Sequence, residues 1–471
     1  MPGRTEAHYR VRRRAAVVNL GCKVNQAEVE AAARMLRANG VELVGGRDSA
    51  DLVLVNTCTV TTVADQKSRQ AVRRARRASP GATVVVTGCS AQIDPVAILA
   101  ADPAAKIVGN DRKDGLLLEL ERLLGTGWAD AVPADAAPAD TSPAGARVDR
   151  ALDAPLPTLS GVEPMGGAQQ LDGIADGRSD ADRTRAFVKV QDGCSFHCTY
   201  CIIPRARGAE RSSAPEVVLT DVRRALAAGH REIVLTGINI GTYDGGWSEA
   251  GPRGSHARSA LTLAGLVRRI LAETDVERIR LSSIEPQHVD DALLDAWTGP
   301  GDGRCLPHLH LPLQSGDDGV LRRMGRRYDA ATYASIVRRA REAIPGLAVH
   351  ADVIAGFPTE DDDAFERSLA FIDGLRLDGL HVFRYSARPG TPAVRMAGQV
   401  DEAVRRERAG RLLDLAARAR ARRAQDRAGG IASVLFEERL PDGRWMGHAE
   451  DHVLVAVAGS DEPMDNAIGR V

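Results

Sequence analysis

Six of the seven cysteines fall into two sets of three, and the spacing of both sets suits metal chemistry. Cys194, Cys198 and Cys201 follow the run Val188 to Gly193, with three residues between the first two thiols and two between the last two. Three thiolates on one tight loop can hold three irons of a four-iron cluster and leave the fourth iron open to a ligand. A structural zinc site takes four protein ligands, commonly as two separated pairs. A disulfide framework takes an even number of cysteines in a small secreted domain. Neither pattern describes this loop. The alternative is three clustered cysteines without a metal.

The second set is Cys22, Cys58 and Cys89, separated by 36 and 31 residues. Each follows a short apolar or β-branched run, at 17–20, 52–55 and 83–86, that reads as a buried strand. Helical periodicity lies between them, over 26–38 with Val29, Ala33 and Leu36 on one face, and over 64–78 with an Arg-rich outer face. Strands alternating with helices imply a parallel sheet. The carboxyl ends of parallel strands share one edge, where open α/β sheets place ligands, so three distant thiols are expected to converge there. Gly21 and Gly88 would let the backbone approach a bound group. A second three-cysteine iron–sulfur cluster is the preferred reading, and three buried structural cysteines are the alternative.

The alternation resumes after the first residues of a segment from 184 to 398. Strands are expected at 186–190, 232–236, 278–282, 308–311, 348–354 and 379–383, with helices at 215–228, 261–273, 331–344 and 361–374. Six such units make an open, partial (β/α)6 barrel with its functional residues at the strand carboxyl ends. That puts the Cys194 loop at the mouth. Thr236, Gly237, Ser283, Glu285, Ser315, Ile354 and Gly356 follow or end these strands and are candidate cofactor-binding residues, with Tyr200 inside the loop. Each alone is equally a turn or cap residue. The polar stretch 248–258 reads as a surface insertion.

The expected order is an N-terminal parallel α/β cluster domain at 15–125, a linker or disordered insertion at 126–183 rich in Ala, Pro, Asp and Gly, the partial barrel, an Arg-rich helix at 399–428 and a small β domain at 429–471. The helix carries nine arginines from Arg405 to Arg427. A solvated charged face is the default reading, and an RNA-facing helix the competitor. Runs at 432–437, 444–448 and 452–457 suggest a short antiparallel sheet. Cys305 is the spare thiol and reads as structural. His197 reads as a packing or hydrogen-bonding residue.

Composition narrows the classes further. Hydrophobic residues make up 44% of the 471, and the net charge is −1, which excludes a globally basic nucleic-acid binder but leaves local patches open. No run of eighteen apolar residues suggests a membrane span. The Arg-rich start, Arg4 to Arg14, precedes an apolar run too short for a signal peptide. Cysteines arranged for metal suggest a reducing cytoplasm.

The spacing of Cys194, Cys198 and Cys201, with Tyr200 before the third, resembles the radical S-adenosylmethionine (SAM) superfamily. Together with Cys22, Cys58 and Cys89 upstream, the chain resembles the methylthiotransferases over nearly its whole length apart from 126–183. Within that family the run Asn19 to Glu28, with Lys23, Val24 and Asn25 after the first cysteine, is similar to the branch acting on threonylcarbamoyladenosine in tRNA. The isopentenyladenosine branch tends to have Gln-Met-Asn there, and the ribosomal-protein branch Pro-Lys-Asn. The stretches 190–194, 201–208, Gly356 to Pro358 and 385–391 also suit the tRNA branches. The chain departs from the family at Thr359 and Asp361, where Gly-Glu-Thr is usual and Thr-Glu-Asp stands at 359–361. Its C-terminal unit also looks one strand short of the family's TRAM domain.

The resemblance implies two 4Fe-4S clusters. One, on Cys194, Cys198 and Cys201, would bind SAM and generate a radical. The other, on Cys22, Cys58 and Cys89, would carry the inserted sulfur, which a second SAM methylates. The product would be a 2-methylthio adenine beside the anticodon. Implied partners are the tRNA anticodon loop, an electron donor such as flavodoxin or ferredoxin, and a sulfur donor. Competing expectations are the same chemistry on isopentenyladenosine or a ribosomal protein, another radical SAM reaction with the first cluster as an electron relay, and a non-catalytic iron–sulfur RNA-binding protein.

Overall fold

The computed structural model describes residues 13–111, 116, 118–120, 184–246, 261–299, 303–458 and 463–471. They divide into two compact units, one of residues within 13–59 and 63–120 and one of 60–62 with residues from 184 to 471. The expected linker at 126–183 and the insertion at 248–258 lie outside the described residues.

The first unit is a five-stranded sheet in the order β2-β1-β3-β4-β5, comprising β1 Arg14–Asn19, β2 Glu42–Val44, β3 Leu52–Thr57, β4 Thr83–Gly88 and β5 Lys106–Val108. Every pairing is parallel. All six residues of β3 are buried, as a central strand covered on both faces requires. Leu54 and Val85 pack with Leu36 on one side, while Val53, Val55 and Val84 pack with Val72 and Ala75 on the other. Sequence periodicity marks β1, β3 and β4. It does not reveal β2 and β5, three-residue edge strands too short to show a period.

The second unit contains six parallel strands taken in chain order: β6 Arg185–Lys189, β9 Glu232–Thr236, β10 Arg278–Leu281, β11 His308–His310, β12 Ala348–Ala355 and β13 Gly379–Arg384. They pair as β10-β9-β6 and β11-β12-β13. Parallel bridges Ile279 to Cys305 and Ser283 to His310 join the two halves. The result is the expected partial barrel. A short antiparallel pair, β7 Gln191–Asp192 with β8 Arg211–Ser212, brackets the cysteine loop. Along β12, Val349, Ala351 and Val353 pack into the helix-lined core with Tyr333 and Ile372, so His350, Asp352 and Ile354 turn to the concave face.

The C-terminal residues form a four-stranded antiparallel sheet, β16-β15-β14-β17, from β14 Ser433–Arg439, β15 Trp445–Ala449, β16 Leu454–Val457 and β17 Ile468–Arg470. The last strand, absent from the sequence expectation, pairs with Ser433 to Leu435. The Arg-rich helix Glu402–Arg427 has two faces: Arg406, Arg418 and Arg420 are exposed on a solvated face, while the opposite face is packed. Leu412, Leu415, Ala416 and Ala419 are buried, the first three of them in the barrel core. Arg408 binds Glu360 at 2.9 Å and Asp362 at 2.6 Å, and Arg423 binds Asp451 at 2.6 Å. The helix is a strut that ties the barrel to the terminal sheet, and its arginines serve mainly as internal partners.

At the amino ends of the strands, Glu232 (0% exposed) holds Arg280 at 2.7 Å and Arg278 at 2.9 Å. The two guanidiniums reach on to the carbonyls of Ser433, His448, Ala449 and Glu450. Burial alone would raise the Glu232 carboxyl, but Arg280, Arg278 and Arg185 bring it down to about 2. A carboxylate shifted down stabilises the fold above its unfolded pKa, and that contribution is lost as pH falls from the ordinary carboxylate range towards 2. Glu232→Gln leaves two buried cations without their counter-charge, a loss of about 3–5 kcal/mol. Thermal melts at pH 7 should show it, with a gap to wild type that narrows as the pH is lowered towards 2.

The departure from the family pattern has a structural consequence. Thr359 adopts φ +76°, a left-handed conformation that costs a residue with a Cβ roughly 1–2 kcal/mol. The turn is enforced by Thr359 N donating to the Gly398 carbonyl at 2.7 Å and Glu360 N donating to the Phe357 carbonyl at 2.9 Å. Thr359→Gly should therefore raise stability by about 1 kcal/mol, read as a higher denaturant midpoint with unchanged slope.

Candidate functional site

In the first unit the register pairs Asn19 with Asn56, Asn56 with Thr87 and Thr57 with Gly88, so Cys22, Cys58 and Cys89 all emerge from the carboxyl ends of three adjacent strands. Cys22 caps the helix Lys23–Ala38, and Cys89 begins the helix Cys89–Ile93. Asn25, which is buried, donates to the carbonyls of Leu20 at 2.7 Å and Thr57 at 3.1 Å, and Asn56 donates back to the Asn25 carbonyl at 3.0 Å. These bonds stitch together the turns that carry Cys22 and Cys58. Ser68 accepts from Cys58 N at 3.1 Å and donates to its carbonyl at 3.0 Å. Asn110 donates to Cys89 Sγ at 3.6 Å. Gly21 has φ +121°, and a side chain there would sit 3.2 Å from Cys58 Sγ. Gly88, at φ +96°, lies against the Thr57 backbone. Glycine is needed at both places because of conformation and closeness together.

In the second unit the loop after β6 is held from both sides. Asp192 accepts from Gly193 N at 2.8 Å and from Arg207 at 2.9 Å, and Arg211 and Lys189 hold its other oxygen at 3.1 and 3.3 Å. Gln191 donates to the Gly193 carbonyl at 2.9 Å and accepts from Asn239 N at 2.8 Å. Thr199 caps the end of the helix Asp318–Met324, its N donating to the Met324 carbonyl at 2.9 Å and its hydroxyl to the Arg323 carbonyl at 2.8 Å. The loop thereby satisfies carbonyls that the helix end leaves open. Arg327 lies 4.0 Å above the Phe196 ring. His197, between Phe196 and Cys198, is exposed.

Two of the three thiols on this loop sit in surroundings that oppose negative charge. Burial pushes Cys194 up to about 11 and Cys201 up to about 12, with repulsion from Cys198 adding to both. Three thiolates there need a strongly cationic group among them. A single tetrahedral zinc would draw sulfurs to about 3.8 Å of one another, given Zn–S bonds near 2.3 Å. Among the described residues, the groups that bring three ligand atoms within 4.8 Å are built on histidine, and neither cysteine trio is one. Cys305, by contrast, is buried in the barrel core and pushed up to about 12, in keeping with a structural thiol.

The other sequence candidates are distributed unevenly. Tyr200 stands edge-on to Phe357 with centroids 6.4 Å apart, and Ile354 packs in the same cluster. Glu285 is engaged by Arg326, whose Nη1 lies 3.1 Å from Oε1 while Nη2 contacts Oε2. Arg326 Nη1 also reaches Cys198 Sγ at 3.6 Å and Tyr200 Oη at 3.4 Å. Ser283 meets His310 Nδ1 at 3.0 Å. Thr236 is buried at the end of β9, and its carbonyl accepts from Val190 N at 2.9 Å. Ser315 accepts from Asp317 N at 3.2 Å in a turn. A Cβ at Gly237 would meet Gln191 at 2.9 Å, and the space beside Gly356, at φ +71°, is filled by the Arg405 stem. These two glycines thus leave room for neighbouring protein atoms.

Sequence reasoning missed Arg326 and a chain of groups on the concave face. His310 Nε2 lies 2.8 Å from Asp352 Oδ1, and His381 Nδ1 lies 3.1 Å from the same oxygen. Burial would raise Asp352, but the two imidazoles hold it well below the usual carboxylate range. Alternation along β11 and β12 was the available signal, since it puts His308, His310, His350 and Asp352 on one face.

Residues 14–109 match a family described as Uncharacterized protein family UPF0004, and residues 188–372 match the Radical SAM superfamily. Threonylcarbamoyladenosine tRNA methylthiotransferase MtaB of Bacillus subtilis (strain 168) is 35% identical, covering 94% of this chain and 90% of its own. The tRNA-2-methylthio-N(6)-dimethylallyladenosine synthase of Maricaulis maris (strain MCS10) is 31% identical, covering 91% and 87%. The radical SAM methyltransferase TsrM of Kitasatospora setae has a TM-score of 0.53 at 17% identity, over 81% of this chain and 74% of that chain, which shows a shared fold. Among the described residues, no helix is long and apolar enough to cross a membrane.

Asp192 gives this site a direct test. Asp192→Ala strands the fully buried Arg207 guanidinium and should cost about 3–5 kcal/mol. Because that pair braces the loop carrying Cys194, anaerobic reconstitution of the variant should yield less iron and sulfide per chain than wild type, as measured by colorimetric assay.

Proposed function

The chain belongs to the radical SAM methylthiotransferases, and on that premise we propose that it inserts sulfur and a methyl group at carbon 2 of N(6)-threonylcarbamoyladenosine beside the anticodon of tRNA. The observation that supports the reading is the pair of thiol trios, each following strand carboxyl ends. Lys23, Val24 and Asn25 after Cys22 support the threonylcarbamoyladenosine branch, as does the similarity to the Bacillus subtilis relative. The similarity to the Maricaulis maris relative favours a second reading, the same chemistry on isopentenyladenosine.

The adenine C2–H bond is too weak an acid for any side-chain base. A cluster with SAM, when bound, supplies the radical chemistry that such a bond requires. Cys194, Cys198 and Cys201 would hold that cluster, and Cys22, Cys58 and Cys89 a second one that carries the sulfur. Beside Cys198, Arg326 and Glu285 present a guanidinium and a carboxylate side by side, which suits the zwitterionic amino-acid end of SAM. Tyr200, Phe357 and Ile354 offer an apolar wall, and Thr236, Ser283 and Ser315 extend the proposed SAM-binding set, in which Gly237 and Gly356 would offer backbone groups only, their side-chain space being taken by Gln191 and Arg405. The target base lies in a single-stranded loop, from which a nucleotide can be splayed into a pocket. The terminal sheet would act as a TRAM-like RNA contact. A flavodoxin or ferredoxin and a separate sulfur donor would complete turnover.

Nucleoside mass spectrometry of tRNA from a deletion strain should show loss of 2-methylthio-threonylcarbamoyladenosine and accumulation of its unthiolated precursor. Loss of the isopentenyl counterpart instead would establish the second reading. In the purified protein, Cys58→Ala should halve the reconstituted iron from about eight to about four per chain and abolish methylthiolation while SAM cleavage persists.

A further inference from the structure

At the floor of the barrel, three histidines from three segments converge. His308 starts β11 and His350 lies on β12, both on the concave face, while His452 sits in the turn between β15 and β16. Their ring centroids are 4.6 Å apart for His308 and His350, 4.7 Å for His308 and His452, and 5.5 Å for His350 and His452. One nitrogen from each lies within 4.8 Å of those of the other two. Closing on an ion at about 2.0–2.1 Å needs only side-chain adjustment.

Two features of the backbone serve this convergence. His452 adopts φ +68°, a conformation in which a residue other than glycine is uncommon, and its N donates to the Ala449 carbonyl at 3.0 Å. The turn accepts strain and brings this imidazole to the other two. Opposite His350 in the ladder stands Gly379. A Cβ there would lie 2.9 Å from the His350 ring, so glycine vacates the space that the ring occupies.

We propose that His308, His350 and His452 form a site for one divalent transition-metal ion of the zinc class, fastening the C-terminal sheet to the barrel floor. Three imidazoles select zinc, cobalt, nickel or copper over magnesium or calcium. The site is separate from both thiol trios, and it stands whatever base the enzyme modifies. Its three donors leave a fourth position for water.

The test uses full-length protein reconstituted anaerobically with iron and sulfide, then equilibrated with Zn2+ and dialysed. Wild type should retain about one zinc per chain beyond its iron, with a zinc K-edge spectrum showing nitrogen and oxygen ligands and no sulfur near 2.3 Å. His452→Asn keeps a residue tolerant of the left-handed backbone, and His350→Gln keeps a polar side chain of similar size. Each should lower zinc retention at least tenfold while iron content and the far-ultraviolet circular dichroism stay as in wild type. Zn2+ should also raise the melting temperature of wild type and not that of either variant. A sulfur shell at the zinc edge, or unchanged retention in both variants, would overturn the site and leave three packed neutral imidazoles.

Discussion

Parallel strand pairing is the constraint on which the rest of this protein depends. A parallel ladder runs every strand the same way, so every carboxyl end opens on one edge. In the first unit that edge receives Cys22, Cys58 and Cys89 from positions 36 and 31 residues apart. In the second it receives the Cys194 loop, Glu285 and the Gly356 turn. No local spacing could gather the first trio. The adjacency of β1, β3 and β4, sealed by Asn25 and Asn56 across the turns, does it instead.

The barrel uses its two ends differently. At the mouth, thiols and carboxylates lie close together in surroundings that resist negative charge, and Arg326 is a cation set among them. At the floor, the balance runs the other way. Glu232 holds Arg278 and Arg280, and those guanidiniums carry the attachment of the terminal sheet. Between the two ends, His310, Asp352 and His381 make a hydrogen-bonded column on the concave face. Buried charge is costly without a partner, and at both ends the buried charges sit where they also join segments of chain.

The Arg-rich helix shows how composition leaves the role of each arginine open, since Arg406, Arg418 and Arg420 do face outward. Nine arginines suggested a face for solvent or for RNA. Arg408, Arg423 and Arg427 instead find carboxylates within the protein, while Leu412 and Leu415 on the same helix enter the core. Which arginine is a ligand for phosphate and which is a strut depends on where acids from other segments fall. The Gly356 turn is similar. Its glycine was legible as a special backbone position, but the atoms that occupy the cleared space belong to Arg405, on a helix much further along the chain.

Legible in the sequence were the strand–helix alternation, the six barrel strands to within a residue or two, and the cysteines that are candidates for the two trios, because periodicity and cysteine spacing are local properties. It did not determine the three-residue edge strands β2 and β5, which carry too few residues for a period. Nor did it determine Arg326, the Glu232 floor or the histidine groups. Those depend on side chains far apart in the chain whose meeting follows only from strand register, and register is set when whole faces are buried against one another. Tertiary structure alone decided them.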